Sequence, residues 1–132
     1  MIIYSQSLGK VWFNSLIIGS GYSGNGDALN NPALENIVGH GPIPRGLWEI
    51  VRWTGDSHYT DNGGHDLGPQ VAILKPVDFN PHDRAGLLWH GDNKLMNFTA
   101  SNGCIISPRV LRDHLSKAWD LDLEAKHLQV IG

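Results

Sequence analysis

The chain has 132 residues, enough for one domain around a single core, and it carries 13 Asp and Glu against 10 Lys and Arg, a formal charge of −3. That balance leaves no basic footprint and argues against nucleic acid or an anionic membrane surface as the main partner. Sixteen glycines and seven prolines point to a turn-rich, mostly β protein, and a single cysteine excludes an intrachain disulfide and leaves a free thiol.

Ile2 to Gln6, Lys10 to Phe13 and Leu16 to Ile18 read as three short strands of a meander, with Ser7-Leu8-Gly9 and Asn14-Ser15 as tight turns. Met1-Ile2-Ile3 is apolar but gives way at once to Tyr4-Ser5-Gln6-Ser7. No secretory apolar region forms there, no run reaches the length of a membrane span, and no membrane insertion is expected. Gly19 to Gly24 spells G-x-G-x-x-G after a strand. The turn signals Asn25-Gly26-Asp27 and Asn30-Asn31-Pro32 then stand where a dinucleotide fingerprint needs a helix, so that reading is set aside.

His40 to Gly46 reads as a rigid, proline-bearing loop feeding a strand from Leu47 to Trp53. Apolar residues on both faces of that strand predict cover on both sides, as in a sandwich or small barrel. Thr54 to Pro69 is polar and glycine-rich, and is expected to be a long loop of the kind that often serves as a lid. Val71 to Lys75 returns as a strand, Asn80 to Ala85 as a turn, and Gly86 to Trp89 as a buried strand. Seven histidines raise the question of a metal, and His58 with Asp56, then His65-Asp66, superficially suggest a zinc loop. There is no H-E-x-x-H and no second compact histidine pair, so these read as polar loop residues and neither metal nor cofactor is expected.

The stretch Trp89 to Ile105 holds the chemistry. His90 ends an apolar strand, and the turn Gly91-Asp92-Asn93 after it leaves the imidazole partly accessible. Cys104 follows Ser101-Asn102-Gly103, and Ser107-Pro108 reads as an N-cap with proline at the first helical position. A thiol attacks only as the thiolate, which a neighbouring base or a helix N-terminus favours, and Gly103 lets main-chain N–H groups turn toward a developing oxyanion. A lone cysteine is more commonly a small buried hydrophobe, and a histidine beside it a satisfied polar group. Here the flanking glycine, the helix start and the upstream histidine agree on a nucleophile. The helix should bury Val110, Leu111, Leu115, Ala118 and Trp119 and expose Arg112, Asp113, Ser116 and Lys117, while Leu128 to Ile131 suggests a last strand pairing with an early one.

Histidine before cysteine with a short spacer is the reverse of the papain-like order. His90-Gly91, then Ser101-Asn102-Gly103-Cys104-Ile105, resembles the L,D-transpeptidase signature. Adding Tyr4 to Ser7 with Gly9-Lys10, Gly21 to Gly24, Asn30 to Pro32 and Gly41 to Gly46, the chain resembles the type VI secretion L,D-transpeptidase effectors nearly end to end. The resemblance implies a mostly β sandwich or barrel with one amphipathic helix after the cysteine, residues 1–132 forming a single catalytic domain. It implies attack on peptidoglycan tetrapeptide stems, by cleaving diaminopimelate from D-alanine or by exchanging that residue for another D-amino acid. Cys104 would be the nucleophile and His90 the general base, with Ser101 and Gly103 as motif members. Delivery by the secretion apparatus to the periplasm of a target bacterium would account for a cytoplasmic product without a signal peptide, and a cognate immunity protein would protect the producer.

One departure concerns substrate binding. The wider signature has arginine two residues after the cysteine, where Ile106 stands here, so Arg84 and Arg109 become the candidates for the substrate carboxylate. Tyr22 and Asp92 are further binding candidates; Trp89 could line the groove but fits the core better. Two other classes remain. One is a non-enzymatic cell-wall binding module whose five tryptophans stack on sugars. The other is a sortase-like transpeptidase, which differs in its cysteine context and its late arginine.

Overall fold

The computed structural model describes residues 1–132. In chain order the strands are β1 (Ile2–Ser5), β2 (Lys10–Phe13), β3 (Leu16–Ser20), β4 (Tyr22–Ser23), β5 (Gly46–Trp53), β6 (His58–Thr60), β7 (Asp66–Pro69), β8 (Ala72–Pro76), β9 (Leu88–His90), β10 (Ile105–Ile106) and β11 (His127–Ile131), with one α-helix, α1 (Arg109–Leu121). The opening meander forms as expected, and its Asn14-Ser15 turn has positive φ at both residues (50° and 71°), the backbone that suits a two-residue hairpin.

Nine strands make one sheet in the order β3-β2-β1-β11-β5-β8-β9-β10-β4. Its two edge strands, β3 and β4, are consecutive in the chain and separated by Gly21 alone, so the sheet has to curl until its edges approach. The result is a nearly closed, barrel-like sheet. Gly21 sits at the seam, where a side chain would collide with the Ile106 carbonyl. The last strand, β11, lies parallel to β1 and antiparallel to β5, and thereby ties the end of the chain to its beginning.

Ile2, Tyr4, Val11, Trp48, Ile50, Trp89, Ile105 and Leu128 belong to one buried cluster, which α1 completes through Leu111 and Leu115. Val110 is 78% exposed and does not join it, whereas Arg112, expected on the solvent side, is buried. The helix also starts one residue late. Pro108 is its N-cap, and Ser107 instead accepts a hydrogen bond from Trp89 Nε1 at 2.8 Å. Residues 54–69 are not a structureless loop, because β6 and β7 pair as a separate two-stranded hairpin. No helix is long and apolar enough to cross a membrane.

Candidate functional site

Strands β9 and β10 run parallel with Trp89 opposite Ile105 and His90 opposite Ile106. Side chains alternate across a sheet, and Trp89 and Ile105 belong to the core. His90 and Ile106 therefore point to the other face, and Cys104 immediately precedes β10. It thus stands two residues before Ile106, the residue that pairs with His90 on β9.

The Cys104 Sγ accepts a hydrogen bond from the Leu88 N–H at 3.3 Å rather than from the imidazole. Burial pushes the thiol up to about 11, against the opposing pull of that N–H and of the Arg84 charge. His90 is 4% exposed, and its Nδ1 lies 2.7 Å from the Gly91 carbonyl. A carbonyl only accepts, so Nδ1 carries the proton and Nε2 presents a lone pair. Burial lowers the pKa of this histidine, opposed by the Gly91 carbonyl. The resting pair is thus neutral thiol and neutral imidazole.

The loop before Cys104 is held by two groups. The Ser101 hydroxyl donates to the Cys104 carbonyl at 2.6 Å and accepts from the N–H groups of Gly24 (2.9 Å) and Gly103 (3.1 Å). It is fully buried, and its hydrogen-bonding capacity is filled by backbone. Arg84, only 7% exposed, donates to the carbonyls of Glu35 (2.7 Å), Pro42 (2.8 Å), Gly41 (2.9 Å) and Asn102 (3.0 Å). Its guanidinium clamps the cysteine loop to segment 35–42 and does not face an open groove. Gly103 passes beneath it with φ +133°, where a Cβ would strike the guanidinium. Burial alone would raise the Glu35 pKa, but hydrogen bonds from His82, Gln6 and Arg45 leave it lowered, so an anion stands behind the clamp.

Two clefts meet at the turn after His90. One, of about 510 Å³, is lined by His90, Gly91, Asp92 and Asn102 on one side and by Asp61, His65 and Gly68 of the β6–β7 hairpin on the other. The second, of about 320 Å³, is lined by Tyr22, Met96, Phe98 and Ile106 together with Asp92, Arg109 and Arg112. Tyr22 donates to Asp92 Oδ1 at 2.8 Å, packs edge-on against Phe98 at 5.2 Å, and has its pKa pushed up to about 12, chiefly by burial. Arg109 is paired to Asp113 (2.7 Å) and Asp56 (2.9 Å) at the rim. His58 pairs with Asp66 and His65 with Asp61, and no three His, Cys, Asp or Glu residues gather as a metal site.

Sequence reasoning missed the part played by four residues. Asn25, read only as a turn residue, donates to the Ser101 carbonyl at 2.7 Å and so braces the cysteine loop. The hairpin residues Asp61 and His65 form a cleft wall that nothing in their local sequence announces. Arg112 was placed on the polar face by its charge, although it lies three residues before Leu115 and seven before Trp119, on the buried stripe.

Residues 18–131 match the Tlde1 domain. Among solved structures, the Ldtfm-avibactam carbamoyl enzyme superposes with a TM-score of 0.58 at 14% identity, covering 99% of this chain and 48% of that one. A cysteine-to-serine mutant of Enterococcus faecium L,D-transpeptidase gives 0.55 at 13% identity, over 98% of this chain and 48% of that one. The catalytic domain of an E. faecium L,D-transpeptidase, solved by NMR, gives 0.52 at 12% identity, over 98% of this chain and 95% of that domain. The chain therefore spans about half the length of the first two and nearly all of the third, and shares their fold. No curated protein matches it.

Proposed function

The chain belongs to the Tlde1 domain family, the type VI secretion L,D-transpeptidase effectors, and from that membership we propose that residues 1–132 form a single catalytic domain acting on peptidoglycan tetrapeptide stems through a Cys104 acyl-enzyme. The carrying observation is the His90 tautomer. With Nδ1 fixed by the Gly91 carbonyl, Nε2 presents its lone pair from β9, whose neighbour β10 begins directly after Cys104. In the reaction, Nε2 takes the thiol proton as Sγ attacks the diaminopimelate carbonyl. The Gly103 N–H is held by Ser101, so the N–H of Cys104 itself is the donor left to face the oxyanion. When the tetrahedral intermediate collapses, the C–N bond breaks and D-alanine leaves with the proton from the imidazolium. Water or the amine of a D-amino acid then opens the thioester.

The neutral resting pair suits this order of events, because the thiolate forms only as substrate is attacked. Arg84 places a buried positive charge near the sulfur and stabilises that anion without touching substrate. The polar cleft between His90 and the hairpin takes the stem peptide. Delivery by type VI secretion to the periplasm of a target bacterium, with an immunity protein in the producer, completes the reading. A sugar-stacking wall-binding module fits less well, since none of the five tryptophans is exposed and Trp48 and Trp89 are core residues.

The test is intact-protein mass spectrometry after acid quenching with disaccharide-tetrapeptide. The reading requires an adduct equal to the donor minus D-alanine, carried by Cys104 and absent from Cys104→Ala. A folded protein that turns over the donor with no such adduct, or whose Cys104→Ala variant turns it over equally, would overturn it.

A further inference from the structure

The cleft beside Ile106 is apolar along one wall and bears opposite charges on the other, and neither charge is explained by the acyl-transfer step. Tyr22, Met96, Phe98 and Ile106 supply the apolar wall. Met96 and Phe98 are 73% and 57% exposed and are held with positive φ (50° and 64°), so the chain presents two large apolar side chains to this cleft from a strained loop instead of burying them.

Arg112 supplies the positive charge. Only 6% exposed, it donates through Nε to Ser107 (3.1 Å) and through Nη1 to Pro69 (2.8 Å) and Gln70 (2.9 Å), all backbone carbonyls. Its Nη2 makes no hydrogen bond and lies against Gly91, where a Cβ would come within 2.7 Å. No carboxylate pairs with this guanidinium, whereas Arg109 beside it has two. Asp92 supplies the negative charge: Tyr22 and the Asn93 N–H both bond its Oδ1, and its Oδ2 is free.

An unpaired buried guanidinium, a carboxylate with an open oxygen and an apolar wall in about 320 Å³ are the complement of a small zwitterion with an apolar side chain. We infer that this cleft binds the free amino-acid acceptor of exchange, with the α-carboxylate on Arg112, the α-ammonium beside Asp92 and the side chain against Met96 and Phe98. The inference rests on the acyl-transfer reading for its place in catalysis, but not for the binding itself. Ile106, which lines this cleft, pairs in register with His90 on the neighbouring strand, and Asp92 lines both this cleft and the one that His90 lines, so the acceptor is held next to the proposed base. In the exchange step the ammonium first gives one proton to the Asp92 carboxylate and through it to solvent; the freed amine nitrogen then bonds the thioester carbonyl, the C–S bond breaks, and the nitrogen's second proton passes through His90 to the departing sulfur.

The experiment is isothermal titration of the full chain with D-methionine, D-methioninamide and N-acetyl-D-methionine, which changes only the ligand and so avoids unfolding the protein around Arg112. D-Methionine should bind, and loss of either ligand charge should weaken binding by at least about tenfold. In Phe98→Ala, whose side chain is mostly exposed, the preference for D-methionine over D-alanine should shrink by about fivefold to tenfold. Equal binding of all three ligands, or no binding of D-methionine up to its solubility limit, would overturn the inference. Thiol-dependent release of D-alanine alongside either negative result would leave the catalytic reading standing. Charge-selective binding without any release would sink the catalytic reading and keep the site.

Discussion

The Nδ1 of His90 and the carbonyl oxygen of Gly91 lie 2.7 Å apart. One short bond to the next residue's backbone thus fixes the tautomer of the proposed base, a task that a carboxylate performs in many histidine-based sites. Asp92, the nearest acidic residue in sequence, is turned toward Tyr22 instead.

The pairing of a raised thiol with a lowered imidazole has a kinetic signature. Cys104 is pushed up to about 11, so iodoacetamide alkylation should accelerate roughly tenfold per pH unit from pH 7 toward 10, in proportion to the thiolate fraction. A plateau in alkylation rate between pH 6 and 8 would instead reveal a resting thiolate–imidazolium pair.

His90 should also show in stability. Its folded pKa lies below its ordinary value, so the folded state holds fewer protons there than the unfolded chain. The contribution is fully present above about pH 6.5 and is lost as pH falls through the folded pKa. Urea midpoints of the wild type should decline as pH falls below about 6.5, and His90→Asn should flatten that segment of the curve. An unchanged slope in the variant would assign the decline to other groups.

Removing Arg84 tests whether it is clamp or substrate contact. Arg84→Ala strips donors from four backbone carbonyls, three of them in segment 35–42 and one in the cysteine loop, and should cost at least about 3 kcal/mol in denaturant unfolding. A cost below about 1 kcal/mol with a raised KM would restore it as a surface reader of carboxylates.

Ser101→Ala removes the hydroxyl that joins Gly24, Gly103 and the Cys104 carbonyl, at a cost of about 1–3 kcal/mol. Because it frees the Gly103 N–H and loosens the loop, kcat should fall by about tenfold or more while the rate of Cys104 alkylation changes less than threefold. A loss of activity matched by an equal loss of alkylation would point to a role at the sulfur itself.

The parts of this fold that repeat along the chain were legible in the sequence. Short apolar runs between turn signals mark β1, β2 and β8, apolar residues on both faces mark β5, the Asn14-Ser15 turn marks the hairpin, and Leu128 to Ile131 reads as a strand returning to the start. His90 and Cys104 stood out by residue type and by the glycines beside them. What escaped depends on distant partners. Arg84 and Arg112 look like surface charges until the carbonyls from remote segments that surround them are known. The β6–β7 hairpin is polar because it packs as a separate flap, so its strands lack the apolar alternation that betrays a strand. Ser107 failed as an N-cap because Trp89 Nε1, buried in the core, takes its hydroxyl.

The central claim is thiol-dependent chemistry on a peptidoglycan stem. It is tested most directly by mass spectrometry of purified disaccharide-tetrapeptide incubated with the wild type and with Cys104→Ala, with and without D-methionine. The account predicts loss of D-alanine with the wild type alone, and a D-methionine-bearing product when that amino acid is added. An unchanged tetrapeptide in the presence of folded wild-type protein, or equal loss of D-alanine with Cys104→Ala, would contradict it.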